Sequence, residues 1–258
     1  GGLGRGVAGS GVKFREAVQL FLSAAPELGR NLNYRDDAVE MAAFALGARA
    51  DECFLDASQA VGLNRPEVSR TAGERGFQLL LDLDRLLASH SFHRLDRWID
   101  FARSHGDTEA ERDNYERNAR QIVTVWGPPI NDYSCRVWSG LIRDYYLPRV
   151  RMKLEEIRSG QRSNRSQWEA QWVSRKGLSK VEPFGDPVKA AAELVKKADA
   201  EKPSMLDESV GPVIGRWSAA DLKSRDWHTV EWDMPIDLLK DLKGVQFIYE
   251  TGYSYLEI

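Results

Sequence analysis

Apolar residues recur at helical spacing along most of this sequence. Between residues 14 and 25 they occupy the i, i+4, i+7, i+8 and i+11 positions of one helix face, and Pro26 follows them. Longer stripes with the same periodicity run through residues 39–57 and 68–87, the second just after Pro66. A short fourth stripe covers residues 95–102. This spacing predicts a series of amphipathic α-helices whose apolar faces pack together.

A fifth helix is predicted from its start and stop signals. Thr108 and Glu111 have the spacing of a capping box, in which two side chains satisfy the first backbone N–H groups of a helix. A glycine and two prolines at 127–129 should end the helix, because proline disfavours the α conformation in the residue before it. The apolar stripe between these signals consists of Tyr115, Ala119, Ile122 and Trp126.

Three more helices are predicted before residue 203. One should begin near residue 131 or 132, bury Trp138, and be kinked or interrupted at Pro148. Ser166 is predicted to cap the next helix, and Asp186 the last one. Because no repeat of fixed period appears, we expect an irregular helical bundle rather than a solenoid.

The pattern changes after Pro203, where apolar and polar residues begin to alternate. Alternation over residues 227–233 and 245–250, with a turn at 251–252, predicts β-strands. Two or three strands cannot close a sandwich, so residues 203–258 are expected to form a partial, truncated β-sandwich-like domain. The glycine-rich residues 1–12 are expected to be a disordered segment or linker, and both ends look cut from a longer chain. The predicted fold class is mainly α, with an all-α domain at residues 13–202.

Composition and charge exclude some classes of partner. Hydrophobic residues make up 42% of the chain and charged residues 29%, as in an ordinary globular protein. A net charge of -3 gives no electrostatic reason to expect nucleic acid as a partner. No apolar run approaches the roughly 20 residues that a membrane span needs. Cys53 and Cys135 are predicted to be buried thiols, and the four histidines lack metal-ligand spacing, so no metal site is predicted.

The segment from residue 120 to 149 is rich in aromatic residues and proline for a connection between helices. A tryptophan followed by Gly-Pro-Pro places a flat apolar ring where the backbone must turn. Such a ring suits the apolar CH face of a sugar, and Asn131 and Asp132 could bond its hydroxyls. Taken alone, Trp126 could equally be a core residue, and the two polar residues an ordinary helix cap.

Several motifs of this segment occur in the order found in a known family. They are Arg120, Trp126-Gly127-Pro128, Asp132-Tyr133, Ser139-Gly140-Leu141 and Tyr145-Tyr146-Leu147-Pro148-Arg149. In this order they resemble the C-terminal all-helical domain of α-N-acetylglucosaminidases, glycoside hydrolase family 89. Further similar motifs lie at residues 34–39, 80–91 and 185–187, so the resemblance covers about residues 13–200.

The resemblance implies an enzyme that removes terminal α-linked N-acetylglucosamine from glycans with retention of configuration. Retention needs two carboxyl groups about 5 to 5.5 Å apart. In this family both belong to a barrel domain upstream of the helical domain, so this chain should hold no catalytic residue, require no cofactor and be inactive alone. The adjacent acids at 36–37 and 155–156 do not face each other on a helix and are expected to be surface or first-turn groups.

The resemblance also implies which residues contact substrate. The helical domain lends side chains to one wall of the substrate cleft, so Trp126 is predicted to bind the sugar, with Tyr133, Asn131 and Ile130 as neighbours. The loop before Asp132 is shorter than in the animal members, which leaves open whether Pro129, Ile130 or Asn131 lines the cleft. Arg120 is expected to brace the domain through an ion pair, because it lies about 240° from Trp126 on a helical wheel.

The implied partners are a glycan with terminal N-acetylglucosamine and the upstream barrel of the same polypeptide. The implied location is secreted or periplasmic, or lysosomal as in animal members. An alternative is a non-catalytic glycan-binding or interaction protein that uses the bundle as a scaffold. In that case Trp217, Trp227 and Trp232 of the β-tail could hold sugars, although alternating aromatics also fill sandwich cores.

Overall fold

The structure is a computed structural model and describes residues 11–126 and 134–200. The chain divides into two units, Gly1–Met205 and Leu206–Ile258, and the described residues all belong to the first. The linker predicted at residues 1–12 lies outside the described residues apart from Gly11 and Val12, which belong to the first helix. The β-domain predicted at residues 203–258 also lies outside them.

The described part of the chain is mainly α-helical, as predicted, and contains no β-strand. Arg94 and Ser139 form an isolated parallel β-bridge. The helices are α1 (Gly11–Leu22), α2 (Ala25–Leu28), α3 (Leu32–Gly62), α4 (Pro66–Leu87), α5 (Leu95–Arg103), α6 (Glu109–Ile122), a π-helical turn (Ile142–Tyr146), α7 (Leu147–Ser159), α8 (Arg165–Val173) and α9 (Pro187–Ala200).

Helices α3 and α4 form the central antiparallel pair. The side chain of Asn31 caps α3 by accepting hydrogen bonds from the backbone N–H groups of Asn33 and Tyr34. Pro66 begins α4 at a first-turn position, where its missing N–H costs nothing. Small residues allow the two helices to approach closely: a Cβ on Gly76 would lie only 2.5 Å from the Phe54 ring.

Two apolar cores divide the bundle. The first core lies between α1, α3, α4, α7 and α9 and includes Leu46, Leu80, Leu83 and Val195, all at most 2% exposed. Burying such side chains stabilises the fold by about 1.5 to 3 kcal/mol each. At its edge, Arg15 of α1 forms ion pairs with Glu52 of α3 and Asp199 of α9, both with N–O distances of 3.0 Å.

The second core contains residues of α5, α6 and α8 together with Leu141 and Tyr145 at the π-helical turn. Trp172 and Tyr145, exposed by at most 1%, pack at its centre with ring centroids 4.9 Å apart. The indole Nε1 of Trp98 donates a hydrogen bond of 3.0 Å to the carbonyl oxygen of Ala119. That bond ties α5 to α6, so the position of α6 depends on this core.

A buried carboxylate of α4 fixes the start of the helix that continues into α7. Asp84, 0% exposed, accepts hydrogen bonds from the backbone N–H groups of Gly140 and Arg143 at 2.7 and 3.1 Å. It also accepts one from Nε of Arg143 at 3.0 Å. Burial raises the pKa of Asp84, while these three bonds oppose the rise. A cap supplied by another helix has no local sequence signature, and the sequence did not predict it.

The interruption predicted at Pro148 takes the form of the π-helical turn at Ile142–Tyr146. Proline has no N–H to donate and its ring clashes with the carbonyl four residues earlier in a regular α-helix. In the wider turn the N–H of Leu147 donates to the carbonyl of Ile142, five residues earlier, and α7 begins there with Pro148 in its first turn. The helix begins near Leu141, not near residue 131 or 132, since Arg136 to Trp138 are not helical.

Other predicted boundaries also shift. The first helix ends at Leu22, and Pro26 lies in the first turn of the short α2. The cap of α8 is Asn164, whose side-chain oxygen accepts from the backbone N–H of Gln167, so the prediction of Ser166 was wrong by two residues. Asparagine and serine are both good caps, and the turn geometry decides between them.

The predicted buried thiols differ in environment. Cys53 is buried in α3, and burial raises its pKa. Cys135 is exposed, in a non-helical segment, so its predicted burial in a helix was wrong. Among the described residues, no helix is both long and apolar enough to cross a membrane.

Candidate functional site

The candidate site is built around Trp126, which lies just beyond the end of α6. The capping box predicted at Thr108 and Glu111 is present and starts this helix. The helix ends at Ile122, however, four residues before the tryptophan that was predicted to be its last apolar position. Trp126 is 40% exposed and has a φ of 47°, a left-handed backbone conformation that bulky residues rarely adopt.

Hydrogen bonds explain why α6 ends early. The carbonyl of Gln121 accepts from the backbone N–H groups of Thr124 and Trp126, at 3.2 and 2.7 Å, in place of a regular helical partner. The hydroxyl of Thr124 donates to the carbonyl of Arg120 at 2.6 Å. Side-chain hydroxyls that bond nearby carbonyls compete with the helix in this way. These bonds replace the regular helical pattern, and the helix therefore ends at Ile122.

The face of α6 that was predicted to be buried is buried only in part, because Ala119 is 3% exposed and packs in the second core whereas its neighbours on that face lie at the surface. Tyr115 is 41% exposed and Ile122 is 44% exposed, and the two are seven residues apart on one side of the helix. Tyr115, Ile122 and Trp126 are the exposed large apolar side chains of α6 and the residues just beyond it, and this set is named here the α6 strip. An apolar periodicity does not say whether its partner is within the same bundle, and this accounts for the error.

The buried face of α6 holds an ion pair. Arg120, 1% exposed, donates to Oε1 of Glu116 through Nε at 3.0 Å and Nη2 at 2.7 Å. Nη2 also donates to the carbonyl of Gly177 at 2.6 Å, and the guanidinium lies 4.9 Å from the ring centroid of Trp172. These contacts confirm that Arg120 braces the domain. The spacing of Glu116 and Arg120 was the available sequence signal for this pair.

The other end of the connection after Trp126 is also attached to α6. The hydroxyl of Ser134 donates to the carbonyl of Ile122 at 2.8 Å, and the next residue, Cys135, has a φ of 42°. Residues 127–133 between these anchors lie outside the described residues. The site predictions for Ile130, Asn131 and Tyr133 fall within that segment and stay predictions.

Two clefts lie away from Trp126, around α5 and the 178–183 segment. One has a volume of about 380 Å³ and is lined in part by Arg94, Asp96 and Ser139. The other, of about 430 Å³, is lined in part by Arg103 and Asp113. Within the second cleft Arg103 bonds Glu109, Asp113 and Glu116, and these partners raise its pKa. The ion pairs of Arg103 therefore hold α5 against α6.

The structure brings Glu40 to His90 and His93, which are close in sequence, and the potential ligand atoms of the three lie within 4.8 Å of one another. Their geometry does not suit chelation. Nδ1 of His90 accepts from the backbone N–H groups of Phe92 and His93, at 2.9 and 3.1 Å, so the proton of the neutral ring is on Nε2. The His90 and His93 rings stack at 4.1 Å with 6° between their planes, so their lone pairs lie in two nearly parallel planes and do not converge on one ion.

The adjacent acids bond to nearby groups, and contrary to one of their expected roles neither Asp36 nor Asp37 lies in the first turn of α3. Asp36 accepts from the backbone N–H of Ser91 at 3.1 Å. Glu155 pairs with Arg158 at 2.7 Å, and its side chain is 66% exposed. Glu156 accepts from the hydroxyl and backbone N–H of Ser163, which lowers its pKa.

Comparison with known proteins shows which family the chain resembles. Residues 7–197 match the family model described as the Alpha-N-acetylglucosaminidase (NAGLU) C-terminal domain. Human alpha-N-acetylglucosaminidase is 34% identical over 145 residues, which are 55% of this chain and 20% of the human protein.

A solved structure has a similar fold. A double variant of CpGH89 from Clostridium perfringens, in complex with its substrate GlcNAc-alpha-1,4-galactose, superposes with a TM-score of 0.67 at 23% identity. The match covers 77% of this chain and 24% of that protein. This chain thus corresponds to about a fifth to a quarter of these relatives. Because the family match extends over more than half of its residues, the chain belongs to the α-N-acetylglucosaminidase C-terminal domain family.

Proposed function

We propose that this chain is the helical accessory domain of a retaining exo-α-N-acetylglucosaminidase, which removes terminal α-linked N-acetylglucosamine from glycans. Two carboxylates of an upstream barrel in the same polypeptide carry out the hydrolysis, and the 258-residue chain alone is inactive. Family membership supports this proposal. The name of the human relative and the substrate bound to CpGH89 support N-acetylglucosamine as the sugar.

Trp126 provides one wall of the substrate cleft. The observation that carries this role is its geometry: a tryptophan 40% exposed, in a left-handed conformation, as the last residue of the α6 strip. Strained backbone conformations persist where the surrounding structure holds them, and they cluster at functional sites. The indole face can pack against the CH face of a sugar while the barrel supplies the reacting groups.

The proposal extends to the neighbours of Trp126 and to the organisation of the chain. Tyr133, Asn131 and Ile130 line the same wall. Residues 1–10 form a linker or disordered segment, the all-α domain begins with α1 and extends to residue 202, and residues 203–258 form a partial β-domain. The parent enzyme is secreted or periplasmic.

The test is hydrolysis by the full-length natural polypeptide. It should release N-acetylglucosamine from a 4-nitrophenyl α-N-acetylglucosaminide, and proton NMR should show the α-anomer as the first product. Trp126→Ala should lower kcat/KM about fivefold to tenfold, the loss expected for an aromatic contact. Phe92→Ala is the matched control, since Phe92 is an aromatic residue 66% exposed on another part of the bundle, and it should leave kcat/KM unchanged.

Two results would contradict the proposal at different points. Unchanged kinetics of Trp126→Ala would remove Trp126 from the cleft wall but leave the enzyme assignment intact. A full-length polypeptide that binds N-acetylglucosamine-terminated glycans without hydrolysing them would refute the enzyme assignment. It would support a non-catalytic glycan-binding protein in its place.

A further inference from the structure

Gln121 contacts both backbone polar groups of Trp126. Its carbonyl accepts from the backbone N–H of Trp126 at 2.7 Å, and its side-chain Nε2 donates to the carbonyl of Trp126 at 2.9 Å. Both distances are those of good hydrogen bonds. The bonds close a short ring from the last turn of α6 to the tryptophan.

This ring holds a conformation that the tryptophan does not favour by itself. The left-handed region places Cβ close to the following carbonyl, which disfavours it for every residue except glycine and, less strongly, asparagine and aspartate. Trp126 has a φ of 47° and no such advantage. Its carbonyl must therefore be held from outside, and the Gln121 amide is positioned to do so.

The residue that precedes Gln121 in the chain is held in place by several contacts. Arg120 is fixed by Glu116, by the carbonyl of Gly177 and by the Trp172 ring. Its own carbonyl accepts from the Thr124 hydroxyl at 2.6 Å. The backbone from residue 120 to 124 is thus fixed to the second core. Through its two hydrogen bonds, Gln121 holds Trp126 in a fixed position relative to that core.

We propose that Gln121 is a positioning residue that holds the Trp126 indole at the sugar-binding wall. The effect of Gln121 on turnover rests on the proposed function, whereas its effect on the conformation of Trp126 does not. Only the side-chain bond can be removed by substitution, because the backbone bond persists in every variant. Its loss allows Trp126 to leave the left-handed region and weakens sugar binding more than the chemical step.

The first experiment follows Trp126 directly in the full-length polypeptide labelled with 5-fluorotryptophan. The ¹⁹F resonance of Trp126 is assigned as the one absent from Trp126→Phe. Gln121→Met keeps the length of the side chain and removes its donor, and it should shift or broaden that resonance. Gln121→Lys keeps a donor and should restore it. Gln161→Met, at an exposed position outside the helices, is the matched control and should leave the resonance unchanged.

The second experiment measures kinetics on the same α-N-acetylglucosaminide. Gln121→Met should raise KM about fivefold, the effect of losing one hydrogen bond, with little change in kcat, and Gln121→Lys should recover most of the loss. A variant that merely destabilised the domain would lower the amount of active enzyme and reduce apparent kcat without changing KM.

The outcomes separate this inference from the proposed function. An unchanged Trp126 resonance in Gln121→Met overturns the positioning role, whatever the kinetics. A shifted resonance in a polypeptide that hydrolyses no α-N-acetylglucosaminide supports the hold on Trp126 and refutes the proposed function. A shifted resonance with normal KM in an active enzyme overturns the link to the sugar. If Gln121→Met does not fold, Gln121→Glu removes the donor without changing the shape, and the same criteria apply.

Discussion

Arg120 carries a positive charge at 1% exposure, and Glu116, its partner, is 4% exposed. Removing one member of a buried pair leaves the other charge desolvated, and this is costly even where the intact pair contributes little. We expect Arg120→Met to lower the free energy of unfolding by about 3 to 5 kcal/mol, measured by urea denaturation.

The exposed pair of Lys189 and Glu193 is the matched control for this prediction. Both side chains are about 70% exposed, and their closest N–O distance is 3.9 Å. Lys189→Met should change the free energy of unfolding by less than about 0.5 kcal/mol. An Arg120→Met variant as stable as the Lys189→Met variant would show that Glu116 is adequately compensated by Arg103 alone.

His90 makes the stability of the fold depend on pH. Burial and the neighbouring His93 lower its pKa, and the carboxylates of Asp36, Asp37 and Glu40 oppose this only in part. Its Nδ1 accepts hydrogen bonds from two backbone N–H groups, so this nitrogen must be unprotonated. The folded protein therefore resists protonation more than the unfolded chain does.

The sign of the pH effect follows from this difference. The stabilisation is fully present above the unfolded pKa of about 6.5 and is lost as pH falls through the lowered folded pKa. Between about pH 7.5 and about pH 5.5, the wild type should lose more unfolding free energy than His90→Gln, in which nothing titrates at this position. Equal losses of unfolding free energy in the wild type and in His90→Gln would show that His90 is not the source of the pH dependence.

At the scale of the helices, close packing of α3 against α4 depends on glycine. A Cβ on Gly76 would lie 2.5 Å from Cε1 of Phe54, so the ring would have to move. Alanine favours a helix over glycine by about 1 kcal/mol, but overpacking costs about 1 to 3 kcal/mol. We expect Gly76→Ala to be destabilising in a thermal or urea unfolding experiment.

Gly62 provides the opposite expectation in the same pair of helices. Nothing lies within 4 Å of a Cβ placed there, at the last residue of α3. Gly62→Ala should therefore stabilise the fold by a few tenths to about 1 kcal/mol. If both variants shift stability in the same direction, helix propensity and not the contact with Phe54 governs the response.

The helical elements show which local signals are sufficient. The capping box at Thr108 and Glu111 was predicted and is present, because all its groups lie within one turn of chain. The end of α6 was misplaced because the Thr124 hydroxyl and the Gln121 carbonyl form bonds that compete with the helix. The cap that Asp84 supplies to the helix near Leu141 joins residues 56 positions apart, so no local pattern encodes it.

At the scale of the whole molecule, the α6 strip is exposed apolar surface that the described bundle does not cover. Under the proposed function, the catalytic barrel and the glycan cover it in the full-length polypeptide. Hydroxyl-radical footprinting should therefore label Tyr115, Ile122 and Trp126 less in the full-length polypeptide than in the 258-residue chain. Leu20 of α1, 75% exposed, is the comparison residue. Labelling of the α6 strip that does not differ between the two would place the barrel on another face.

The sequence by itself determined the mainly helical fold, most helix positions and the family. Apolar periodicity, caps and prolines act within a few residues, and the motifs from Arg120 to Arg149 are a linear pattern. Only the tertiary structure decided which apolar faces are buried, because the partner of a face lies far away in sequence. It therefore placed Arg120 inside, placed Tyr115 and Ile122 outside, and stacked His90 on His93. It also brought the Gln121 amide onto the strained backbone of Trp126, a contact that depends on where α6 ends.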